Sequence, residues 1–356
     1  MRLFFSIFLT VLTLFNCKSE SNPLSTLYIG TYTDGDSEGI YQYQFNTETG
    51  ELTNKQLAAT SENPSFITYS VDKNYVYAVN ETENGTVSAF KVEADKTLTF
   101  IDKTSTHGAH PCHVVINKQG DKAVVSNYTG GNFSLHTIKD DGALNEAFQV
   151  LEHKTDSIVS HAHSAQFFKD DLYAADLGLN AVFNYRLSNQ TYELISPSIV
   201  DLENKSGPRH FSLTNDGKYI YIINELSSTI TSAKKTENGF EFIETISTLA
   251  DDFKEKSYCA DIHLSEDERF LYGSNRGENS IVIFKRDTNS GKLKKIQNIS
   301  VHGDWPRNFT IDPTGKFVLV ANQKSHNISI FKIDKTSGKL AFLHAVELPS
   351  PVCLLF

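Results

Sequence analysis

The sequence predicts an all-β fold, a closed seven-bladed β-propeller, and three observations carry that prediction. A hairpin pattern recurs along the 356-residue chain at intervals of 45 to 51 residues. Each copy offers four short runs of alternating bulky residues, separated by turn signals. A further copy is split between residues 27–32 and residues 351–356. Four short strands in a period of this length are typical of a propeller blade.

The clearest copy is the hairpin at residues 207–225, GPRHFSLTNDGKYIYIINE. Alternating Phe, Leu, Tyr and Ile side chains predict its two strands, and the Asn-Asp-Gly sequence at 215–217 predicts the turn between them. Related first strands begin near residues 64, 111, 161, 259, 306 and 351. A third and a fourth strand follow each complete hairpin, which gives six whole blades.

The split copy completes the count of seven. Residues 27–32 match the second strand of a blade that lacks its first strand, and residues 351–356 match a first strand alone. We therefore expect the N- and C-terminal strands to share the first blade and close the ring. Closure removes the free sheet edges that would otherwise invite aggregation.

The N-terminal residues are predicted to lie outside the propeller. Residues 1–16 combine one Arg with a short apolar run, as in a signal peptide, and Cys17 follows directly. This pattern predicts a lipoprotein signal with lipid on Cys17, although Asn16 stands where a small residue is usual. Residues 17–25 would be a tether and residues 26–356 the propeller. The expected location is the cell envelope, lipid-anchored on the periplasmic or cell-surface side, with simple secretion as the alternative.

The composition excludes several classes of partner. The formal net charge is −10 and no basic run is present, so the chain is a poor candidate for binding nucleic acid or an anionic membrane surface. We expect membrane contact only through the lipid on Cys17. Three widely spaced cysteines besides Cys17 do not suggest a disulfide framework. Closed sheet edges favour a monomer.

Polar residues are concentrated where the blades begin. In a propeller, the first strand of each blade lines a central channel, and the loop after the second strand opens on the same face. We call that end of the channel the channel mouth. The hairpin at 207–225 brings Arg209 and His210 beside Glu225 there. Arginine is scarce in this chain, yet three of its seven arginines fall at mouth positions: Arg209, Arg276 and Arg307.

This use of arginine predicts an anion-binding site, because the planar guanidinium grips carboxylates and phosphates in a fixed geometry. The alternative is that the arginines only pair with acidic residues to hold the blades together. His161 and His163 alternate along one edge, so both rings are expected on one side. A histidine pair could bind a metal, but no third ligand has suitable spacing, and we expect no metal and no cofactor.

Several short motifs together resemble a known family, the seven-bladed propeller lactonases. This family includes propeller-type 6-phosphogluconolactonases and fungal carboxy-muconate lactonizing enzymes. The resemblance covers nearly all of residues 26–356, and the motifs that carry it are LYIGTYT, HPCHV, HAHSAQF, GPRHFSL, INE, AADIHLS, SNR, WPRNFTI and ANQKSHNISIF.

The resemblance implies a catalytic set of four residues, His161, Arg209, Glu225 and Arg276, and no metal. His163, His210 and Arg307 are then expected to bind the substrate. Lactone hydrolysis needs an activated water, a stabilised oxyanion and a proton for the leaving alkoxide. We expect His161 to act as base and acid, and Glu225 to orient Arg209 or the water.

The function implied is hydrolysis of a sugar lactone, with a small anionic lactone such as 6-phosphogluconolactone as substrate. Two alternatives stay open at this point. One is a carboxy-muconate-type lactonizing reaction, and the other is a non-catalytic binding propeller at the cell envelope. Because a phosphorylated sugar lactone is a cytoplasmic metabolite and this chain carries an export signal, an unphosphorylated aldonolactone is a further candidate substrate.

Overall fold

The computed structural model describes residues 23–153, 159–237 and 239–356 of the chain. Within these ranges, 28 strands form seven four-stranded antiparallel sheets, without any helix. The predicted all-β, seven-bladed propeller is confirmed. The predicted signal peptide, residues 1–16, and the lipidation site Cys17 lie outside the described residues.

Blade 1 is the shared blade, and its strand order is β28-β1-β2-β3. Its members are β1 (Leu24–Thr31), β2 (Gly39–Asn46), β3 (Leu52–Thr60) and β28 (Pro351–Leu355). The predicted closure by N- and C-terminal strands is confirmed, because β28 pairs with β1. The first strand begins inside the predicted tether of residues 17–25, since Leu24 and Ser25 already pair with Asn46 and Phe45 of β2.

The other six blades follow in chain order, each with four consecutive strands. Blades 2 to 4 contain β4 (Ile67–Tyr69), β5 (Tyr75–Asn80), β6 (Thr86–Val92) and β7 (Leu98–Ser105); β8 (Pro111–Ile116), β9 (Lys122–Asn127), β10 (Asn132–Thr137) and β11 (Gln149–Glu152); and β12 (Ala162–Phe168), β13 (Asp171–Asp176), β14 (Ala181–Ser188) and β15 (Thr191–Ser196). Blades 5 to 7 contain β16 (Pro208–Leu213), β17 (Tyr219–Asn224), β18 (Thr229–Thr236) and β19 (Gly239–Ser247); β20 (Tyr258–Leu264), β21 (Phe270–Arg276), β22 (Ser280–Arg286) and β23 (Leu293–Ser300); and β24 (Pro306–Ile311), β25 (Phe317–Asn322), β26 (Asn327–Ile333) and β27 (Leu340–Glu347).

The innermost strands begin close to the predicted positions, with one marked difference in blade 2. A strand was expected from Pro64, but regular pairing starts only at Ile67. Asn63 has a positive φ of 40° and its carbonyl accepts a hydrogen bond from Ser65 N at 2.7 Å, so a tight turn replaces the start of the strand. Gly30 of β1 allows this turn to approach, because a Cβ there would lie 2.3 Å from Pro64 O.

The hydrophobic core lies between the blades rather than in the channel. Each sheet buries bulky residues from its middle strands against the next sheet, and the strands alternate between the two faces accordingly. Blade 6 contributes Tyr272 and Ile283 to one such layer, and blade 7 contributes Phe309 and Val320. The three cysteines of the described residues are free and buried, as expected for small apolar side chains.

Most innermost strands carry a register shift close to the channel mouth. In β16, Pro208 pairs with Asn224 while His210 pairs with Ile223, which leaves Arg209 as an extra residue without a partner on β17. The same shift occurs at His163 in β12 and at Arg307 in β24. A β-bulge re-aims the side chain of its extra residue. The fold therefore turns these three polar side chains out of the regular pleat at the mouth.

Candidate active site at the channel mouth

The centre of the site is a carboxylate shared by two arginines. Glu225 directly follows β17, and its Oε2 atom lies 3.0 Å from Arg209 Nε and 2.6 Å from Arg276 Nη2. All three side chains are largely buried, with Glu225 the most exposed at 15%. The contact between Arg209 and Glu225 that the hairpin predicted is confirmed, and Arg276 joins them from the neighbouring blade.

Backbone carbonyls hold both guanidiniums in place. Arg209 Nη1 donates to Ala260 O at 2.5 Å, and Arg276 Nη2 donates to Cys259 O at 3.0 Å. The guanidinium of Arg276 also lies over the ring of Trp305, 5.3 Å from its centroid. Because a guanidinium carries five N–H donors in one plane, these contacts fix its orientation and leave donors for a ligand.

Burial and charge act in opposite directions on this cluster. Burial opposes ionisation of Glu225, but Arg276 and Arg209 outweigh it and hold the pKa of Glu225 below its usual value. Burial, with Arg276 and Arg307 nearby, lowers the pKa of Arg209 to about 10. At neutral pH the Glu225 carboxylate is therefore ionised and Arg209 is charged, and Glu225 is a weak base.

Arg307 binds a second carboxylate at the mouth. Its Nη2 atom lies 3.6 Å from Glu81 Oε2, and its guanidinium lies over the ring of Tyr32, 5.3 Å from the centroid. Tyr32 in turn donates its hydroxyl to Glu81 Oε2 at 2.9 Å. No hydrogen bond from Arg307 to another protein group is found within the described ranges. Its N–H donors are consequently available to an anionic ligand.

His161 directly precedes the innermost strand of blade 4, next to blade 5, and stacks on Tyr128. The two ring centroids are 4.4 Å apart, with 14° between the planes. His161 Nδ1 lies 3.2 Å from Tyr128 O, so the proton of a neutral ring belongs on Nδ1 and the lone pair on Nε2. Among the residues that the structure describes, no hydrogen bond or ion pair joins His161 to Glu225 or to the arginines. A bound molecule would have to bridge them.

Asp176 fixes the backbone of His161. Its Oδ1 atom accepts from His161 N at 2.9 Å, and its Oδ2 atom accepts from Ser160 Oγ at 2.5 Å and from His153 Nδ1 at 2.9 Å. The oxygens of Asp176 are therefore occupied by protein donors. The described part of the chain holds no cluster of three His, Cys, Asp or Glu residues that could bind a metal.

The predicted substrate-binding histidines form part of a layer of rings across the channel. His163 lies 5.3 Å from His210 and 5.6 Å from Tyr128 between ring centroids, and His113 packs on His210 at 5.6 Å. Burial, together with Arg209, lowers the pKa of His210 to about 4 and that of His163 well below its usual value. Both rings are neutral at pH 7. His161 and His163 both contact Tyr128, in keeping with their expected common side.

Beyond this layer, a cavity of about 200 Å³ lies further along the innermost strands. The side chains that line it come from six blades and include Phe66, His113, Gln166, Asp261, His263 and Asn308. Asp261 is buried and accepts from His210 Nδ1 at 2.8 Å. His210 therefore lies between the mouth and the cavity, where it contacts Arg209 on one side and Asp261 on the other.

The sequence model of the family described as "Lactonase, 7-bladed beta-propeller" matches residues 26–356. The chain belongs to this lactonase family. The resemblance seen in the sequence motifs is thereby confirmed.

Relatives of the lactonase family include named enzymes. The chain is 32% identical over 341 residues to a 6-phosphogluconolactonase of Bacillus subtilis, covering 92% of this chain and 97% of the relative. It is 35% identical over 314 residues to a 6-phosphogluconolactonase of Formosa agariphila, covering 83% and 88% of the two chains. The solved structure of the periplasmic gluconolactonase of Pseudomonas aeruginosa matches with a TM-score of 0.87 and 32% identity, covering 93% and 98%.

Sequence reasoning missed some residues of this lactonase-family mouth. Tyr32 and Tyr128 each directly follow the second strand of their blade, β1 and β9. The expectation that residues directly after a second strand face the mouth had already selected Glu225. Applied to uncharged residues, the same expectation would have selected both tyrosines. Trp305 and Asp261 carry no comparable signal, because their roles depend on contacts between neighbouring blades.

Within the described ranges no helix is long and apolar enough to cross a membrane.

Proposed function

We propose that the chain is an enzyme that hydrolyses a sugar lactone to the open-chain acid. The observation that carries the proposal is the cluster in which Arg209 and Arg276 bind one oxygen of Glu225, with His161 at the mouth end of the adjacent blade 4. The named relatives support the same reaction type. The candidate substrates are 6-phosphogluconolactone and related aldonolactones.

The charge at the mouth suits a small anion. Three guanidiniums face two carboxylates, Glu81 and Glu225, so the mouth carries a positive excess although the whole chain has a net charge of −10. The neighbouring rings of His163 and His210 add no charge at neutral pH. A desolvated positive site of this kind attracts an anionic substrate and stabilises negative charge that develops during reaction.

The arginines are placed to stabilise the oxyanion. Attack of water on the lactone carbonyl moves negative charge onto the carbonyl oxygen, and preorganised donors lower the energy of that state. Arg209 and Arg276 are held by carbonyl oxygens and by Glu225, so they need no rearrangement as the charge appears. Glu225 thus orients the donors rather than accepting a proton.

His161 is the group proposed to move protons. Its Nδ1 proton is directed to Tyr128 O, which leaves Nε2 to accept a proton from the attacking water. Imidazole is the side chain that most often serves as a general base or acid in enzymes. The protonated ring then delivers this proton to the ring oxygen as the carbon–oxygen bond of the lactone breaks. Water supplies the hydroxyl and the hydrogen that the product gains.

The proposal is tested by lactone hydrolysis with purified protein. Acid release is followed from 6-phosphogluconolactone and from gluconolactone, and the spontaneous rate in buffer is subtracted. Arg209→Ala and His161→Ala should each lower kcat/KM by about 100-fold or more, as loss of an oxyanion donor or a general base does. Arg269→Ala is the matched control, because Arg269 is half-exposed on another face and pairs with Asp267. Equal rates in all variants and in buffer would overturn the proposal.

The two lactones separate the candidate substrates. If Arg307 binds the phosphate, kcat/KM should be higher for 6-phosphogluconolactone than for gluconolactone. Arg307→Ala should then remove this preference. If gluconolactone is the better substrate and Arg307→Ala affects both equally, the enzyme acts on unphosphorylated aldonolactones.

We also propose that the protein is a lipid-anchored monomer of the cell envelope. The lipoprotein-type signal before Cys17 supports the anchor, and the periplasmic location of the Pseudomonas aeruginosa relative is consistent with export. The ring of blades supports a monomer, because a propeller leaves only short, protected sheet edges for pairing. Light scattering on detergent-purified protein measures the oligomeric state, and a dimer mass would contradict this assignment.

A further inference from the structure

We infer that His210 and Asp261 are positioning residues that hold Arg209 in the orientation needed for lactone hydrolysis. This inference rests on the proposed function. Neither residue reaches the mouth directly, so both act through the guanidinium. Three contacts in series carry the inference, from Glu225 through Arg209 and His210 to Asp261.

The direction of each hydrogen bond is fixed by the chemistry of its partner. An ionised carboxylate only accepts, so His210 Nδ1, 2.8 Å from Asp261 Oδ1, must carry the proton of the neutral ring. His210 Nε2 then holds a lone pair. Arg209 Nη1 lies 3.3 Å from that atom and can only donate to it. Asp261 thereby selects the one neutral form of the ring that receives Arg209.

The other neutral form would disturb the guanidinium. With the proton on Nε2, an N–H group of His210 would face an N–H group of Arg209 across 3.3 Å. Arg209 would then have to rotate away, although the same Nη1 atom also donates to Ala260 O and its Nε faces Glu225. The orientation of all three contacts therefore depends on where the His210 proton resides.

Asp261 is held too firmly to adjust. Besides His210, it accepts from His263 Nε2 at 3.0 Å, Asn308 Nδ2 at 2.6 Å, Ile262 N at 3.0 Å and Phe309 N at 3.3 Å. These donors come from two adjacent blades and the carboxylate is buried. A carboxylate with so many donors stays ionised and immobile, which is the property needed to fix a neighbouring ring.

The decisive variant is Asp261→Asn, compared with Asn308→Ala. An amide at position 261 can donate its NH2 to His210 Nδ1, which permits the wrong form of the ring. We expect kcat to fall about 10- to 100-fold with a smaller change in KM, the range seen when a group that orients an active residue is altered. Asn308→Ala removes another hydrogen bond of Asp261 but leaves the His210 proton in place. It should lower the melting temperature while kcat stays within twofold.

Two outcomes of that comparison would overturn the inference. An unchanged kcat in Asp261→Asn would show that Arg209 does not depend on the carboxylate. Equal losses of kcat in Asp261→Asn and Asn308→Ala would show a general effect of loosened blades. If the wild-type protein hydrolyses no lactone at all, the proposed function fails instead, and NMR spectroscopy of the imidazole nitrogens still decides the position of the His210 proton.

Substitutions of His210 provide a rescue test. Glutamine places a carbonyl oxygen near the position of Nε2 and can accept from Arg209, whereas asparagine reaches only the position of Nδ1 and keeps the bond to Asp261. His210→Gln should retain most of kcat and His210→Asn should lose about 10-fold or more. The reverse order would contradict a role through Arg209.

The position of the proton can be observed without any substrate. Long-range ¹H–¹⁵N spectra distinguish a neutral histidine protonated on Nδ1 from one protonated on Nε2. The His210 signal is identified by its loss in His210→Gln. We expect the Nδ1-protonated form in the wild type and a shift toward the Nε2-protonated form in Asp261→Asn. An Nε2-protonated ring in the wild type would overturn the inference, whatever the activity.

Discussion

Arg276 Nη2 lies 2.6 Å from Glu225 Oε2, so a guanidinium at the end of the second strand of blade 6 binds a carboxylate that follows the second strand of blade 5. The same oxygen faces Arg209 at 3.0 Å. The contact links two blades and also builds the most concentrated charge of the mouth. The stability of the fold and the proposed catalysis therefore both depend on the Glu225 carboxylate. The free energy of unfolding and kcat measure the two effects separately.

Glu225→Gln should lower both stability and activity. The substitution keeps the shape of the side chain but leaves two buried guanidiniums with no charge partner on that side. Removing one member of a buried ion pair costs about 3 to 5 kcal/mol of the free energy of unfolding. We expect denaturant unfolding to show a loss in this range and kcat for lactone hydrolysis to fall about 100-fold.

Glu268→Gln is the control for that prediction. Glu268 also approaches a buried arginine, Arg286, but at 3.9 Å and away from the mouth. The Glu268→Gln substitution should leave kcat for lactone hydrolysis unchanged. A Glu225→Gln protein with wild-type kcat would contradict the role of Glu225 in orienting the arginines.

Arg307→Ala should act mainly on substrate binding. Arg307 contacts Glu81 and Tyr32 rather than the Arg209–Glu225–Arg276 cluster, so its loss removes positive charge without disturbing the proposed oxyanion donors. We expect KM to rise about 10-fold or more while kcat changes less. Steady-state kinetics with varied lactone concentration check this. Tyr32→Phe, which keeps the ring under the guanidinium, should raise KM less, and a larger kcat than KM effect of Arg307→Ala would contradict the assignment.

The protein should lose stability as the pH falls below about 6.5. Burial and Arg209 lower the pKa of His210 to about 4, whereas a histidine in the unfolded chain takes up its proton near pH 6.5. Between these values the unfolded chain binds more protons, so the stability present above pH 6.5 is lost as the pH falls toward 4. From pH 7.5 to pH 5, His210 alone should cost about 2 kcal/mol.

Comparison with His210→Gln isolates this contribution. The free energy of unfolding of both proteins is measured by denaturant titration at pH 7.5 and at pH 5. Glutamine does not titrate, so the variant should lose about 2 kcal/mol less than the wild type over this interval. His163 should cause a similar loss in both proteins, because burial also lowers its pKa. Identical losses in the two proteins would show that His210 takes up its proton normally in the folded state.

Cys17 should decide whether the protein stays with membranes. When the full chain is expressed in a bacterium that processes lipoproteins, the wild type should sediment with the membrane fraction and Cys17→Ser should not. Mass spectrometry of the wild type should show an acylated N-terminal cysteine. Recovery of both proteins in the soluble fraction would favour simple secretion instead.

The blades could be predicted from the sequence because their signals are local. Strand alternation and the turn at residues 215–217 act over a few residues, and their repetition fixes the number of blades. The contact of Arg209 with Glu225 was predictable for the same reason, since a hairpin places its two ends side by side. The expected start of blade 2 at Pro64 was wrong, because the turn at Asn63 also depends on the approach of β1.

The remainder of the site depends on distances between side chains of different blades. The alternation of residues along a strand does not predict those distances. Arg307 had Glu81 among several possible partners, and only the closed ring brings them within 3.6 Å. Arg209 and His210 are adjacent in sequence, and both were expected to contribute side chains to the channel mouth. In the structure the bulge directs Arg209 to Glu225, and His210 hydrogen-bonds Asp261 of the next blade.

The shared first blade ties the ring to the order of protein synthesis. β28 is made after all other strands, and it must then insert beside β1, where Leu354 N reaches Asn308 Oδ1 at 2.8 Å and Cys353 Sγ receives Ile67 N at 3.4 Å. A ribosome that stops anywhere before Pro351 releases an open arc with an unpaired edge on β1. Such an edge invites aggregation, and incompletely folded chains are degraded by proteases. We therefore expect only a chain finished through β28 to close the ring, and shorter chains to be more sensitive to proteases.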